Sequence, residues 1–221
     1  MKELDPDRTL ALAYVPAARR EAVRALWGLD AALGAVLAGG REPLISRIKL
    51  AWWRDSLQKL DHSKAPGEPV LEAVSNEILP RGVRGGELSG LEEGWSVLLS
   101  EEPLTSADLE GYATARGALV FRYSARLLGA ELTSAMERAG EGWALVDLAR
   151  HSNPVDGQAA VEAARQRFGG LTSGRWPSAL RPLGMLAALA RRDAERGIDQ
   201  IEPQGAPPRM WVMLRHRITG R

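Results

Sequence analysis

Two aspartates sit where helical apolar faces should be. From about Ala17 to Ala38 the apolar spacing predicts a helix with Val23, Leu26, Leu33 and Leu37 on its face, and Asp30 falls near the centre of that face. A carboxylate buried there is costly unless it is paired or lines a wet cavity. Asp30 is therefore either half of an ion pair with an arginine on a neighbouring helix or a functional carboxylate in a pocket. Asp147, in GWALVDLAR, repeats the pattern between Val146 and Leu148. Of the three histidines, His151 closes its helix, where positive charge suits the C-terminal dipole. His62 and His216 lie in polar surroundings and suggest no chemistry. The chain has no cysteine, which excludes disulfides, thiolate metal sites and a cysteine nucleophile. A P-loop, a glycine-rich dinucleotide turn, a nucleophile elbow and His/Glu metal spacing are all missing as well.

The elements that must position these residues are helices. Pro16 suits the first turn of the helix that carries Asp30, and Gly39-Gly40 ends it. A second helix runs from about Pro43 to Leu60, a third from Val70 to Leu79 before Pro80, and a short one from Leu91 to Leu99. Between the last two, RGVRGGELSG reads as a loop with at most one helical turn. Thr105 with Asp108 three residues on is a capping pattern that opens a helix running to Gly129. Glu131 to His151, Ala159 to Phe168 and Ala179 to Gly197 follow, and the proline-broken tail ends in a short helix. No convincing strand alternation and no internal repeat occur. The expectation is a single all-α domain over residues 1–221.

The second helix holds IKLAWWRDSLQKL. On a wheel, Leu50, Trp53, Leu57 and Leu60 share an arc of roughly 80°. Ile45, Ile48 and Trp52 form a second arc beside it, so both faces are expected to be buried, as in a central bundle helix. Arg47, Arg54, Asp55 and Gln58 cluster opposite, and the wheel leaves Arg54 either solvated or pointing into a cavity.

Bulk properties narrow the function. With 29 basic and 28 acidic residues the net charge is +1, so no global field favours nucleic acid. The apolar runs are too short to span a bilayer, and the N-terminus has early acids and no signal-peptide core. Cysteine-free composition fits a reducing cytoplasm. The tail RMWVMLRHRITGR alternates basic and apolar residues, which suits a packed helix with a solvated face or peripheral contact with a partner or with the inner membrane.

Four stretches together resemble the squalene/phytoene synthase family: ARREAVRALWGLDAAL, EPLISRIKLAWWRDSL, LTSADLEGYATARGALVFRYSARLLG and AGEGWALVDLAR. The WWRD helix is the most specific of them. The resemblance implies a shortened helical bundle of the isoprenoid synthase type around a central cavity, with Trp53, Arg54, Tyr112 and Arg150 as candidate lining residues. Enzymes of the family carry two DxxxD motifs on facing helices. Carboxylates at i and i+4 share a face and hold the Mg²⁺ ions that stabilise a diphosphate leaving group. On alignment the first pair falls on Gly34 and Ala38, and the second on His151 and Val155. Losing both pairs should abolish ionisation of the diphosphate.

The chain thus resembles a degenerate branch, similar to the phytoene-synthase-like mitochondrial complex I assembly factor. That implies a non-catalytic scaffold, assembly factor or lipid-binding protein with no cofactor, whose partner is a protein or an isoprenoid-like lipid. The alternative is a prenyltransferase that condenses prenyl diphosphates head to head, with Mg²⁺ held by Asp30, Asp147 and Asp156.

Overall fold

The structure, a computed structural model, describes residues 4–39, 42–99, 103–171 and 174–221. Gly40, one of the two glycines expected to end the Asp30 helix, lies outside these residues. Every regular element among those described is helical. Proline or a side-chain cap opens most of them. In α1 (Pro6–Ala13), the Asp5 carboxylate accepts the Arg8 backbone N–H at 2.9 Å, and Pro6 needs no partner at the first position. The sequence reading placed no helix there. α2 (Ala17–Ala38) and α3 (Pro43–Lys59) match the expected spans to within a residue.

α4 (Pro69–Ala73) runs on through a π-turn, Val74–Ile78, and a 3₁₀ turn, Leu79–Arg81. The single turn α5 (Gly85–Leu88) and α6 (Leu91–Val97) follow. α7 (Ser106–Tyr112) opens with the Thr105–Asp108 box and passes through a π-turn, Ala113–Ala118, into α8 (Leu119–Leu128) as one rod. Then come α9 (Ser134–Ala149), α10 (Pro154–Phe168), α11 (Arg181–Arg196) and α12 (Pro207–Thr219). α10 starts five residues before the expected Ala159, because Asn153 caps it by accepting the Val155 and Asp156 N–H groups at 2.9 and 3.0 Å.

Two glycines set the spacing that matters most. A Cβ on Gly117 would lie 2.5 Å from the Gly140 carbonyl oxygen, and one on Gly140 would lie 2.6 Å from the Phe121 ring. Only hydrogen at both positions lets the π-turn of the α7–α8 rod press against α9. That close approach brings Arg116, in the π-turn, beside Asp147 on α9. A lone π-turn in a helix often marks a functional position.

α3 departs from expectation on one side. Leu50, Trp53, Leu57 and Leu60 are buried as the wheel required, but Ile45, Ile48 and Trp52 are exposed. α3 packs on α2, α5 and α6 through its first face, and none of the three apolar side chains of the second face is buried. Arg54 is also exposed and pairs with its neighbour Asp55 at 3.1 Å. His216 is corrected too: it is 3% exposed, lying edge-on to Trp176 with 6.0 Å between ring centroids.

Candidate functional site

A cavity of about 630 Å³ opens at the end of α2. Its apolar wall comes from the C-terminal half of α2 (Ala31, Ala35, Leu37, Ala38) with Leu98, Leu104 and Leu148. Its polar end is built by Asp5 and Arg8 of α1, Tyr112 and Arg116, Asp147 of α9 and Asp156 of α10.

Arg116 dominates that polar end. Its guanidinium binds Asp30 through two bonds, Nε to Oδ1 at 2.8 Å and Nη2 to Oδ2 at 2.9 Å, and it reaches Asp147 Oδ2 at 2.7 Å. Its Nη1 donates to the Tyr112 hydroxyl. The indoles of Trp95 and Trp143 lie 4.3 and 4.9 Å from the guanidinium carbon, a cation–π arrangement. Arg8 adds a second cation 2.8 Å from Asp30 Oδ2. The Trp95 N–H completes the set, donating to Asp30 Oδ1 at 3.1 Å.

These contacts settle the protonation states. Burial alone would push Asp30 up, but Arg116 and then Arg8 hold it down to about 2. Asp147 is lowered as well, against the pull of burial, by Arg116, Arg8 and His151. Burial keeps the Tyr112 phenol protonated, well above its ordinary value, and Arg116 is held more firmly charged by its carboxylates than burial can oppose. Asp5 goes the other way: desolvation raises it despite Arg8. The polar end is therefore a fixed lattice of ion pairs.

The sequence-derived residues separate clearly. Tyr112 lines the cavity, as do Asp147, His151 and Asp156. Trp53 lies in the hydrophobic core, Arg54 in solvent, and Arg150 beside a second void, bonded to Asp193 at 2.7 Å. Trp143 backs the polar end from behind. Sequence reasoning missed Arg116, Arg8, Asp5 and Trp95. Arg116 did leave a signal: with Leu109, Tyr112, Ala113 and Val120 it occupies the buried stripe of its rod, as the lone cation in an apolar pattern.

A family model described as squalene/phytoene synthase matches residues 1–217. The chain belongs to the squalene/phytoene synthase family. No curated protein and no solved structure shows a significant match to it.

In this squalene/phytoene synthase family member, the four positions that the sequence resemblance matched to metal ligands hold no carboxylate. Gly34 and Ala38 line the cavity with His151, while Val155 is 67% exposed. Trp95 fills the space in front of Gly34: a Cβ there would lie 2.7 Å from the indole ring. Mg²⁺ needs several free oxygens in near-octahedral array. Asp30 has given both oxygens to arginines. Asp147 has given one, and Asp156 accepts from the Leu104 N–H and the Asn153 side chain, each at 2.8 Å. Among the described residues no group of three or more His, Cys, Asp or Glu is placed to hold a metal. The residues present do not fit the metal cluster that the family's enzymes use. No helix among the described residues is long and apolar enough to cross a membrane.

Proposed function

We propose that the chain is a non-catalytic member of its family that holds an isoprenoid-like lipid in the 630 Å³ cavity. The observation that carries this reading is the commitment of Asp30 and Asp147 to Arg116. The carboxylates nearest the two aligned motif positions serve as counter-ions inside the fold. Ionising a prenyl diphosphate requires concentrated positive charge at the leaving group. Here three carboxylates, Asp5, Asp147 and Asp156, line the same space as two guanidiniums, Arg8 and Arg116, and Asp30 adds a further negative charge beneath. A polyanion entering this end would meet an excess of its own sign. The apolar wall still accommodates a prenyl chain, and the volume lies within the roughly 300–1,000 Å³ of small-ligand sites.

A scaffold built this way could also assist assembly of a protein complex, as the degenerate branch it resembles implies. Calorimetric titration tests the lipid reading, using farnesyl diphosphate, geranylgeranyl diphosphate and farnesol, each with and without Mg²⁺. Binding indifferent to Mg²⁺, with farnesol at least as tight as its diphosphate and no diphosphate released, is the expected result. Tight Mg²⁺-dependent binding with turnover would restore the prenyltransferase reading. Absence of binding by all three would leave only the protein-scaffold role.

A further inference from the structure

The second face of α3 is a row of large apolar side chains in solvent. Leu44, Ile45, Ile48 and Trp52 are 68, 43, 62 and 46% exposed, and at 100° per residue they share an arc of roughly 100°. Exposed Lys49 borders the arc on one edge and exposed Arg47 on the other. Glu42 precedes the helix and Asp55 ends the row. α3 itself carries four basic residues, Arg47, Lys49, Arg54 and Lys59, against the single acid Asp55. A contiguous exposed row of this kind marks a contact surface. Aliphatic and tryptophan side chains between basic edges match a helix lying in the headgroup layer of an anionic membrane, where the rings and branched chains enter the acyl boundary and the cations meet phosphates.

No α3 residue lines the cavity, but segments joined to α3 do. Leu37 and Ala38, at the end of α2 just before α3, form part of its apolar wall. Arg47 donates to the Leu99 carbonyl at 2.9 Å, tying α3 to the segment whose Leu98 lines the same wall. We propose that α3 is an interfacial helix that docks on an anionic lipid surface through Leu44, Ile45, Ile48 and Trp52 and sets the apolar side of the cavity against the bilayer. The docking stands on the α3 surface alone. Only its purpose, delivery of lipid to the cavity, rests on the lipid-binding reading.

α12 supplies an internal control, since its Trp211 and Ile218 are also exposed, at 69 and 75%, but lie on another helix. The test is co-sedimentation of the full chain with vesicles of phosphatidylcholine alone and of phosphatidylcholine mixed equally with phosphatidylglycerol. Binding to the mixed vesicles, weak binding to the neutral ones and loss at high salt are expected. Ile48→Glu and Trp52→Glu should each lower the partition by about tenfold and Lys49→Glu by several-fold. The melting temperature should be unchanged for Ile48→Glu and Lys49→Glu, and lower for Trp52→Glu, whose ring lies edge-on to the buried Trp53 at 5.2 Å. Trp211→Glu should leave the partition intact.

No preference for the anionic vesicles overturns the proposal. So does a loss with Trp211→Glu but not Trp52→Glu, which would move the contact to the tail. A change of oligomeric state with Ile48→Glu at unchanged vesicle binding also overturns it, and assigns the row to a second copy of the chain. Vesicle binding is measured without isoprenoid, so a failure of farnesol binding in calorimetry and a failure of docking are read separately.

Discussion

Arg116 and Arg209 are both guanidiniums buried between two aspartates, yet one borders a cavity of about 630 Å³ and the other a void of about 30 Å³. Arg209 binds Asp7 through Nε and Nη2 at 3.2 and 2.8 Å, and Asp193 through Nη1 at 2.6 Å. Arg150 adds a second cation to Asp193, so the cluster is closed and ties α1, α11 and α12 to the end of α9. Around Arg116 the same chemistry is left open on one side: Asp147 keeps 17% of its side chain exposed. A buried ion pair is poor evidence of function, because pairing mainly offsets the cost of removing charge from water. What separates the two clusters is the space beside them. Substitutions near Arg209 should therefore change stability alone, and those near Arg116 should change stability and ligand binding together.

The largest effect should come from the closed cluster. Arg209→Met leaves Asp7 buried with no cation, which should cost about 3–5 kcal/mol, read as a lower urea midpoint at constant m-value. Arg116→Met should cost less, about 3 kcal/mol, because Asp30 keeps Arg8 and Trp95 while water in the cavity can reach Asp147. It should also change the affinity for farnesol, which the Arg209 variant should not where it remains folded. Equal losses of stability without any change in binding would erase the distinction between the clusters.

Acid should undo the α11–α12 side before the cavity floor. Burial, then Arg181 and Arg215, lower His216 to about 4 from an ordinary value of 6.5. Between those limits the unfolded chain takes up a proton that the folded chain refuses. Stability is therefore complete above pH 6.5 and falls as the pH drops toward 4, by about 3 kcal/mol in total. Asp30 behaves as a depressed carboxylate: its contribution of about 2 kcal/mol is present above pH 4 and is lost between pH 4 and 2. Urea midpoints across this range check both steps, and His216→Asn should flatten the first while leaving the second. The smallest effect is expected from Trp95→Phe. Loss of its hydrogen bond to the Asp30 carboxylate should cost about 1–2 kcal/mol, and Gly34→Ala should be tolerated better in a Trp95→Ala background than in the parent chain.

Much of this was legible in the sequence, for identifiable reasons. Asp30 stood out because a charge in an apolar helical stripe is visible locally. Its partner did not, because Arg116 lies 86 residues away and only the tertiary register joins them. The core face of α3 could be read from periodicity. Its other face misled, since Ile45, Ile48 and Trp52 give the same pattern whether protein covers them or nothing does. α1 went unread although Asp5-Pro6 is a cap followed by a first-turn proline. His216 looked solvated because its sequence neighbours are arginines, yet Gly184 leaves a gap in α11 that its ring occupies. That no DxxxD pair occurs in the chain could be read directly; that Trp95 covers Gly34 required coordinates.

The bond between Asp7 and Arg209 spans 202 residues. At ribosomal rates of about 5–20 residues per second, α1 waits roughly 10–40 s after emerging before the cation that neutralises Asp7 is made. Arg8, on the same helix, closes one side of the cavity. Asp7 therefore stays without its counter-ion until α12 has been made, and a nascent chain stalled ahead of α12 would hold α1 without that clamp.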